Sequence, residues 1–380
     1  MQYRQFGRLD IKVSALGFGC MRLPIINDDT SQIDEAEATR MLHTAIDGGI
    51  NYVDTAYGYH RGRSEPFVGR ALQNGYRDKV YLATKMPSWL LTTPADLDRL
   101  FEEQLERLQT DHIDFYLLHS LNQSYWDKYM ELKVFDWTEK RIAAGQIRHL
   151  GFSFHDDYPV FETILNGYDH WDFCQIQYNY LDVEHQAGLK GLRLATEKGL
   201  GVVIMEPLRG GNLAKNPPPS AIADLLATGA HDWTPANWAL QWIWDQPEVS
   251  LLLSGMTTLE QVEQNLESAS RSGIGMLSDA DRSLLAKARK VYKTLAPIPC
   301  TQCEYCLPCP NGVGIPQIFE LFNEGHQFEN QPDAQRRYRG FIKPENRADQ
   351  CVECCQCETL CPQHIEIIDW LKKAHVYLQV

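Results

Sequence analysis

The chain has 380 residues, 44% of them hydrophobic, and carries 36 Lys and Arg against 50 Asp and Glu, a net charge of −14. That length is long for one domain and short for three. The acidic balance argues against a nucleic-acid partner, which favours a basic face, and no apolar run approaches the ~18 residues of a membrane span.

The first residues, Met1-Gln-Tyr-Arg-Gln-Phe-Gly7, hold no apolar h-region, so no secretory signal is expected and a cytoplasmic protein is. Residues 3–14 read as a polar hairpin, placed to plug the N-terminal mouth of a barrel. Short apolar strand candidates then recur at 15–19, 50–54, 80–84, 113–118, 148–152, 173–177, 201–205 and 250–254. Amphipathic helical stretches separate them at 34–47, 64–73, 94–108, 128–145, 158–166, 186–198, 234–245 and 259–270, with one more at 279–294. Strands apolar on both faces and alternating with helices imply a parallel sheet, and this number of units over this length implies an α/β chain folded as a (β/α)8 TIM barrel. A doubly wound open sheet would be favoured by GxGxxG after the first strand; Gly17-Phe-Gly19-Cys-Met-Arg22 does not supply it. Pro297-Ile-Pro299 marks a boundary, giving a barrel over 1–296 and a second domain over 297–380 with helix candidates at 315–325 and 365–378.

The second domain is defined by two cysteine groups, Cys300-x2-Cys303-x2-Cys306-x2-Cys309-Pro310 and Cys351-x2-Cys354-x2-Cys357-x3-Cys361-Pro362. The later group has the spacing of bacterial iron–sulfur proteins, in which the fourth Cys, next to Pro, ligates the other cluster. Interleaving then assigns Cys300, Cys303, Cys306 and Cys361 to one 4Fe–4S cluster, and Cys351, Cys354, Cys357 and Cys309 to a second. Zinc would more often use paired CxxC arms, and disulfides need an oxidising compartment. Cys309 follows two residues rather than three, and Cys355 is a spare thiol beside Cys354. The sparse β pattern predicts a small, mainly helical ferredoxin-like module.

Four polar residues stand at or just beyond predicted strand ends: Asp54, Tyr59 in the loop after it, Lys85 and His119. The C-terminal strand ends of a parallel barrel converge on one mouth, so a carboxylate, a phenol, an ammonium and an imidazole can meet there. Singly, each is an ordinary solvated or structural residue.

On Asp54-Thr-Ala-x-x-Tyr59, Thr84-Lys85, Leu118-His119 and Gln175-x-x-Tyr178-Asn179, residues 1–290 resemble the aldo-keto reductases. With its cysteines the chain resembles the subgroup that carries a C-terminal ferredoxin-type 4Fe–4S module. The resemblance implies an NAD(P)H-dependent oxidoreductase that reduces an aldehyde or ketone to an alcohol. Tyr59 would be the general acid, Lys85 would lower its pKa, Asp54 would hold Lys85, and His119 would donate to the carbonyl oxygen as charge develops. Tyr57, wrongly spaced, reads as pocket wall. The resemblance also maps the cofactor onto Gly19, Met21 and Arg22, Asp54, Ser153 and Gln175, Met205, Pro207 and Leu208, and Gly255, Gln261, Gln264 and Asn265. NADPH is preferred and NADH remains an alternative, because Gly255 and Gln261 stand where NADPH-specific relatives can have Lys and Arg. Phe154 and Met205 also depart from common family residues.

Trp89, Tyr125, Trp126, Phe154 and loop 209–232 are expected to line the pocket of a small-molecule carbonyl substrate. The clusters are expected to be structural. The alternative is an electron-transfer or redox-sensing protein whose clusters exchange electrons with a partner protein.

Overall fold

A computed structural model describes residues 1–379. It begins with an antiparallel hairpin, β1 (Tyr3–Gln5) and β2 (Lys12–Ser14). Eight further strands come after it: β3 (Leu16–Gly19), β4 (Tyr52–Asp54), β5 (Tyr81–Met86), β6 (Ile113–Leu121), β7 (Ile147–Phe154), β8 (Phe173–Gln177), β9 (Gly201–Met205) and β10 (Leu251–Ser254). They close into a barrel in sequence order, with β10 between β9 and β3, and every pairing is parallel. The strands are buried almost throughout, as double-sided packing in a parallel sheet requires.

The expected plug is present. Phe6, fully buried, packs 4.7 Å from Phe115 and 5.7 Å from Phe173, ring centre to ring centre, among residues at the starts of their strands. Val13, Tyr52 and Leu251 belong to the same apolar cluster. Gly7 (φ +56°) makes the turn possible: a side chain there would meet the Gly201 nitrogen at 2.3 Å.

The helices obey local rules. Ala95–Leu108 carries Asp96 and Asp98 in its first turn and Arg107 in its last, complementing the helix dipole, and buries Leu97, Leu100, Phe101, Gln104 and Leu108 on one face. It stops at Gln109, whose φ of 53° is left-handed. The single helix expected over 128–145 is instead two, Gln123–Glu131 and Val134–Ala143. Lys133 between them is left-handed (φ 53°), which ends the first and turns the chain into the second.

Two compact units divide the chain: Met1–Gly210 with Ala236–Ser278, and Gly211–Pro235 with the residues from Asp279 onward. The second contains the short helix Ser220–Leu226, the helix Asp279–Thr294, and beyond them Ile315–Gln327, Gln331–Phe341 and Ile367–Leu378. Its core joins Ile315, Phe319, Phe322, Tyr338 and Leu371 to the partly buried Cys300, Cys306, Cys309, Cys351 and Cys361. No strand occurs among its described residues. Among the described residues no helix is long and apolar enough to cross a membrane.

Candidate active site

Asp54, Lys85 and His119 lie on the neighbouring strands β4, β5 and β6, and Tyr59 stands in the short turn Tyr59–Gly62 after β4. Register brings them together: Asp54 pairs with Ala83, and Lys85 with Leu117. Lys85 is fully buried. Its Nζ donates to both Asp54 carboxylate oxygens at 2.7 and 2.8 Å, to the Thr55 carbonyl at 2.8 Å, and to the Tyr59 hydroxyl at 3.3 Å. The His119 ring lies edge-on to Tyr59, 6.3 Å between centres, and Trp89 covers His119 at 5.2 Å.

Burial opposes charge on Lys85, yet Asp54 and Tyr59 carry its pKa above the ordinary lysine value, so the ammonium persists. Burial pushes the Tyr59 phenol up, Lys85 draws it down, and Asp54 pushes it up again. The net direction is upward. Lys85 lowers the phenol's pKa as expected, but desolvation outweighs it in the free chain. Burial, then the Lys85 charge, holds His119 well below the usual histidine value, so the ring is neutral near pH 7. Its Nδ1 is buried without a hydrogen-bond partner.

The other positions expected to meet a cofactor stand on the adjoining arc, β7 to β10 and β3. Ser153 pairs with Gln175 across β7 and β8. The Ser153 hydroxyl oxygen accepts from the Ser120 N–H at 2.8 Å and keeps its own hydrogen to donate. Gln175 Nε2 approaches Met205 Sδ at 3.6 Å, while Oε1 is buried with no partner. Met21 is exposed, and Arg22 pairs with Glu206 at 3.5 Å. Gly19 closes β3, Gly255 comes directly after β10, and Pro207 and Leu208 lie just past β9. Gln261 takes hydrogen bonds from Thr257 through Oε1, beside the Thr258 cap of helix Leu259–Ser270. Gln264 reaches Glu260, and Asn265 donates to Ser254 Oγ at 3.1 Å.

Three pocket expectations fail. Tyr57 donates to Glu103 and stacks under the Arg107 guanidinium, so it faces helix Ala95–Leu108. Trp126 is buried against Phe135 and over Gly167 among the outer helices. Phe154 is fully buried and meets Phe161 edge-on at 5.1 Å. All three are large rings, and the outer helices offered them more buried surface than an open mouth does.

A supporting network went unread in the sequence. Glu65, fully buried, accepts from Thr84 Oγ1 at 2.7 Å and from Gln104 Nε2 at 2.6 Å, and pairs with Arg107 at 3.4 Å. Its one available signal was Gln104, a polar residue inside the apolar stripe 97, 100, 101, 104, 108.

In the second unit the cysteines divide between two cavities. One is lined by Cys300, Cys303, Cys306 and Cys361; the other by Cys309, Cys351, Cys354, Cys355 and Cys357. Among the described residues no three His, Cys, Asp or Glu side chains gather around a single-ion site.

The sequence matches the model of the Aldo/keto reductase family over residues 15–274. The chain belongs to the aldo/keto reductase family. As a member it is an oxidoreductase, and its barrel is the family's. It is 27% identical over 307 residues to the uncharacterized oxidoreductase YrpG of Bacillus subtilis, covering 70% of this chain and 90% of that one. The aldo-keto reductase AKR11C1 of Bacillus halodurans, in its holo form, superposes with a TM-score of 0.63 at 28% identity, over 76% of this chain and 96% of that one. An aldo-keto reductase of Klebsiella pneumoniae solved in complex with NADPH gives 0.61 at 26% identity, over 76% and 95%. The family match ends before the cysteine groups begin.

Proposed function

We propose that this reductase converts an aldehyde or ketone to an alcohol with NADPH, NADH being the alternative donor, and that its C-terminal cysteines hold two 4Fe–4S clusters. The observation that carries the reading is the Lys85 ammonium held between the Asp54 carboxylate and the Tyr59 hydroxyl.

Bound NADPH supplies a hydride to the carbonyl carbon. Tyr59, kept protonated by burial, gives its proton to the carbonyl oxygen. Lys85 stabilises the phenolate left behind, and Asp54 keeps Lys85 charged and aimed. His119, neutral and buried, donates to the same oxygen as charge develops on it. Ser153 and the unpartnered Gln175 Oε1 suit the amide of a nicotinamide, which offers both an acceptor and donors. Gly19, Met21, Arg22, Met205, Pro207, Leu208, Gly255, Gln261, Gln264 and Asn265 form the rest of the proposed cofactor cradle. The NADPH complex of the Klebsiella relative supports the choice of donor.

In the second unit, a tetrahedral zinc ion would draw four sulfurs to ~2.3 Å from one point. Thiols spread around a cavity suit a larger cuboidal cluster, and walls such as Ile315, Phe319 and Leu371 would shield it. A cytoplasm that keeps thiols reduced suits this reading.

NADPH consumption by anaerobically purified protein, followed by absorbance against a panel of aldehydes and ketones, tests the proposal. Consumption should track the carbonyl and vanish in Tyr59→Phe. Activity surviving in a folded Tyr59→Phe protein removes Tyr59 as the acid. Silence across the panel with iron fully loaded moves the weight to electron exchange with a partner protein.

A further inference from the structure

The two cysteine loops repeat one local conformation. In the first, Gln302 (φ 56°) and Glu304 (φ 60°) flank Cys303 in the left-handed region; in the second, Glu353 (φ 57°) and Cys355 (φ 61°) flank Cys354 in the same way. In each loop the middle cysteine stands between two left-handed residues. In both loops the residue after that cysteine lines the cavity: Glu304 in the first and Cys355 in the second. One cavity therefore has four thiols and a carboxylate, and the other has five thiols.

The five thiols differ in setting. Cys357 is buried, Cys351 and Cys309 are half-buried, and Cys354 and Cys355 are both exposed. The three inner thiols have no rival at their places, while the solvent side of the cavity has two thiols on adjacent residues. Cys355 Sγ stands 3.6 Å from the Glu353 carbonyl, a contact an unligated S–H can make as a weak donor. It also caps the short helix Gln356–Leu360, which fixes its backbone beside the cavity.

We propose that the solvent-side corner of the second cluster is served interchangeably by Cys354 and Cys355. The inference rests on the cluster reading above. In the exchange, a bond forms between Cys355 Sγ and iron and the Cys354 Sγ–iron bond breaks. The proton leaving Cys355 passes to Cys354, and no atom changes oxidation state. The first cluster has no such second thiol, because Glu304 occupies the equivalent place.

Iron and acid-labile sulfide content, with the electron paramagnetic resonance spectrum of the dithionite-reduced protein, tests this on the full chain purified anaerobically. The unaltered protein should hold about eight iron, two cubanes of four; protein without iron or sulfide would sink the cluster reading itself. C355S should also hold about eight. C354S should keep about eight with shifted resonance lines, and C354S/C355S should fall to about four. C303S, with Glu304 as its only neighbour, should also fall to about four. If C354S loses half its iron while Cys355 is intact, or if the double variant retains as much as C354S, the proposal is overturned. Should C354S fail to fold, alkylation of the unaltered holoprotein followed by mass spectrometry decides. Label divided between Cys354 and Cys355 supports exchange, and label on Cys355 alone overturns it.

Discussion

Gln104 donates to the main-chain carbonyl of Lys85 at 2.9 Å from the helix outside the barrel. The same amide nitrogen reaches Glu65, and the Gln104 carbonyl oxygen accepts from Tyr116 Oη at 2.7 Å. The strand that carries Lys85 is thus held from behind by a buried carboxylate and an amide, while Asp54 holds the Lys85 side chain from within. Gln104→Leu leaves Glu65, Tyr116 and the Lys85 carbonyl each one partner short. A loss of about 1–3 kcal/mol is expected, together with a fall in kcat larger than any change in the KM for NADPH. Denaturant titration and steady-state kinetics check both, and an unchanged kcat limits the network to stability.

The direction of the Tyr59 shift sets the pH profile of reduction. As the proposed acid, Tyr59 must carry its proton, and burial lifts its pKa above the ordinary value. The rate should stay level through neutrality and decline only above about pH 10. Lys85→Met removes the charge that stabilises the phenolate, so the residual rate should be far lower and its alkaline decline displaced upward. A decline already evident by about pH 8 would contradict the raised pKa.

His119 links folding to acid. Its folded pKa is depressed, so its contribution to stability is present above the unfolded value of about 6.5 and is lost as pH falls toward and through the lower folded value. His119→Gln should therefore flatten the stability curve on the acid side of about pH 6.5 and leave its neutral part unaltered in slope. Urea midpoints measured across that window give the answer; an unflattened curve assigns the acid sensitivity to other groups.

Phe6 packs the plug against the barrel interior. Phe6→Ala should destabilise the protein by about 3–5 kcal/mol without changing the KM for carbonyl, since the plug and the catalytic residues stand at opposite strand ends. Calorimetry with parallel kinetics tests this, and a rise in KM would mean the plug shapes the mouth.

If the cysteines hold iron as proposed, its removal should act on the second unit. A cysteine-rich segment that folds around metal loses order when the metal is chelated, so anaerobic chelation should expose the segment from Asp279 onward to limited proteolysis. Protection unchanged after chelation would make the apolar core around Phe319 and Leu371 sufficient by itself.

Much of this was legible in the primary structure, because a barrel strand buried on both faces has few other ways to be written. Ile113 to Leu118 and Gly201 to Met205 announce themselves by composition, and strand ends then locate Asp54, Lys85 and His119. What stayed hidden depended on partners distant in sequence. Nothing local distinguishes Glu65 from any acidic residue in a first helical turn; its burial is set by Thr84 and by Gln104 on a later helix. Phe154 and Trp126 were misplaced for the converse reason: an aromatic near a strand end suits a pocket wall and a helix interface equally well. The grouping of Gly211–Pro235 with the C-terminal helices was also invisible, since loop composition says nothing about which neighbour a loop joins.

The division of cysteines between the two cavities constrains how the protein is made. One cavity joins residues 300–306 to Cys361, and the other joins Cys309 to residues 351–357. Each wall is completed by chain synthesised about fifty residues later. A ribosome that has finished the barrel, and even the whole first loop, has made neither chamber. Both close only when residues 351–361 have emerged, so a chain cut short before residue 351 leaves its early cysteines without their partners. Order of synthesis thus acts as a checkpoint: neither set of sulfurs is complete until the second cysteine group has been made.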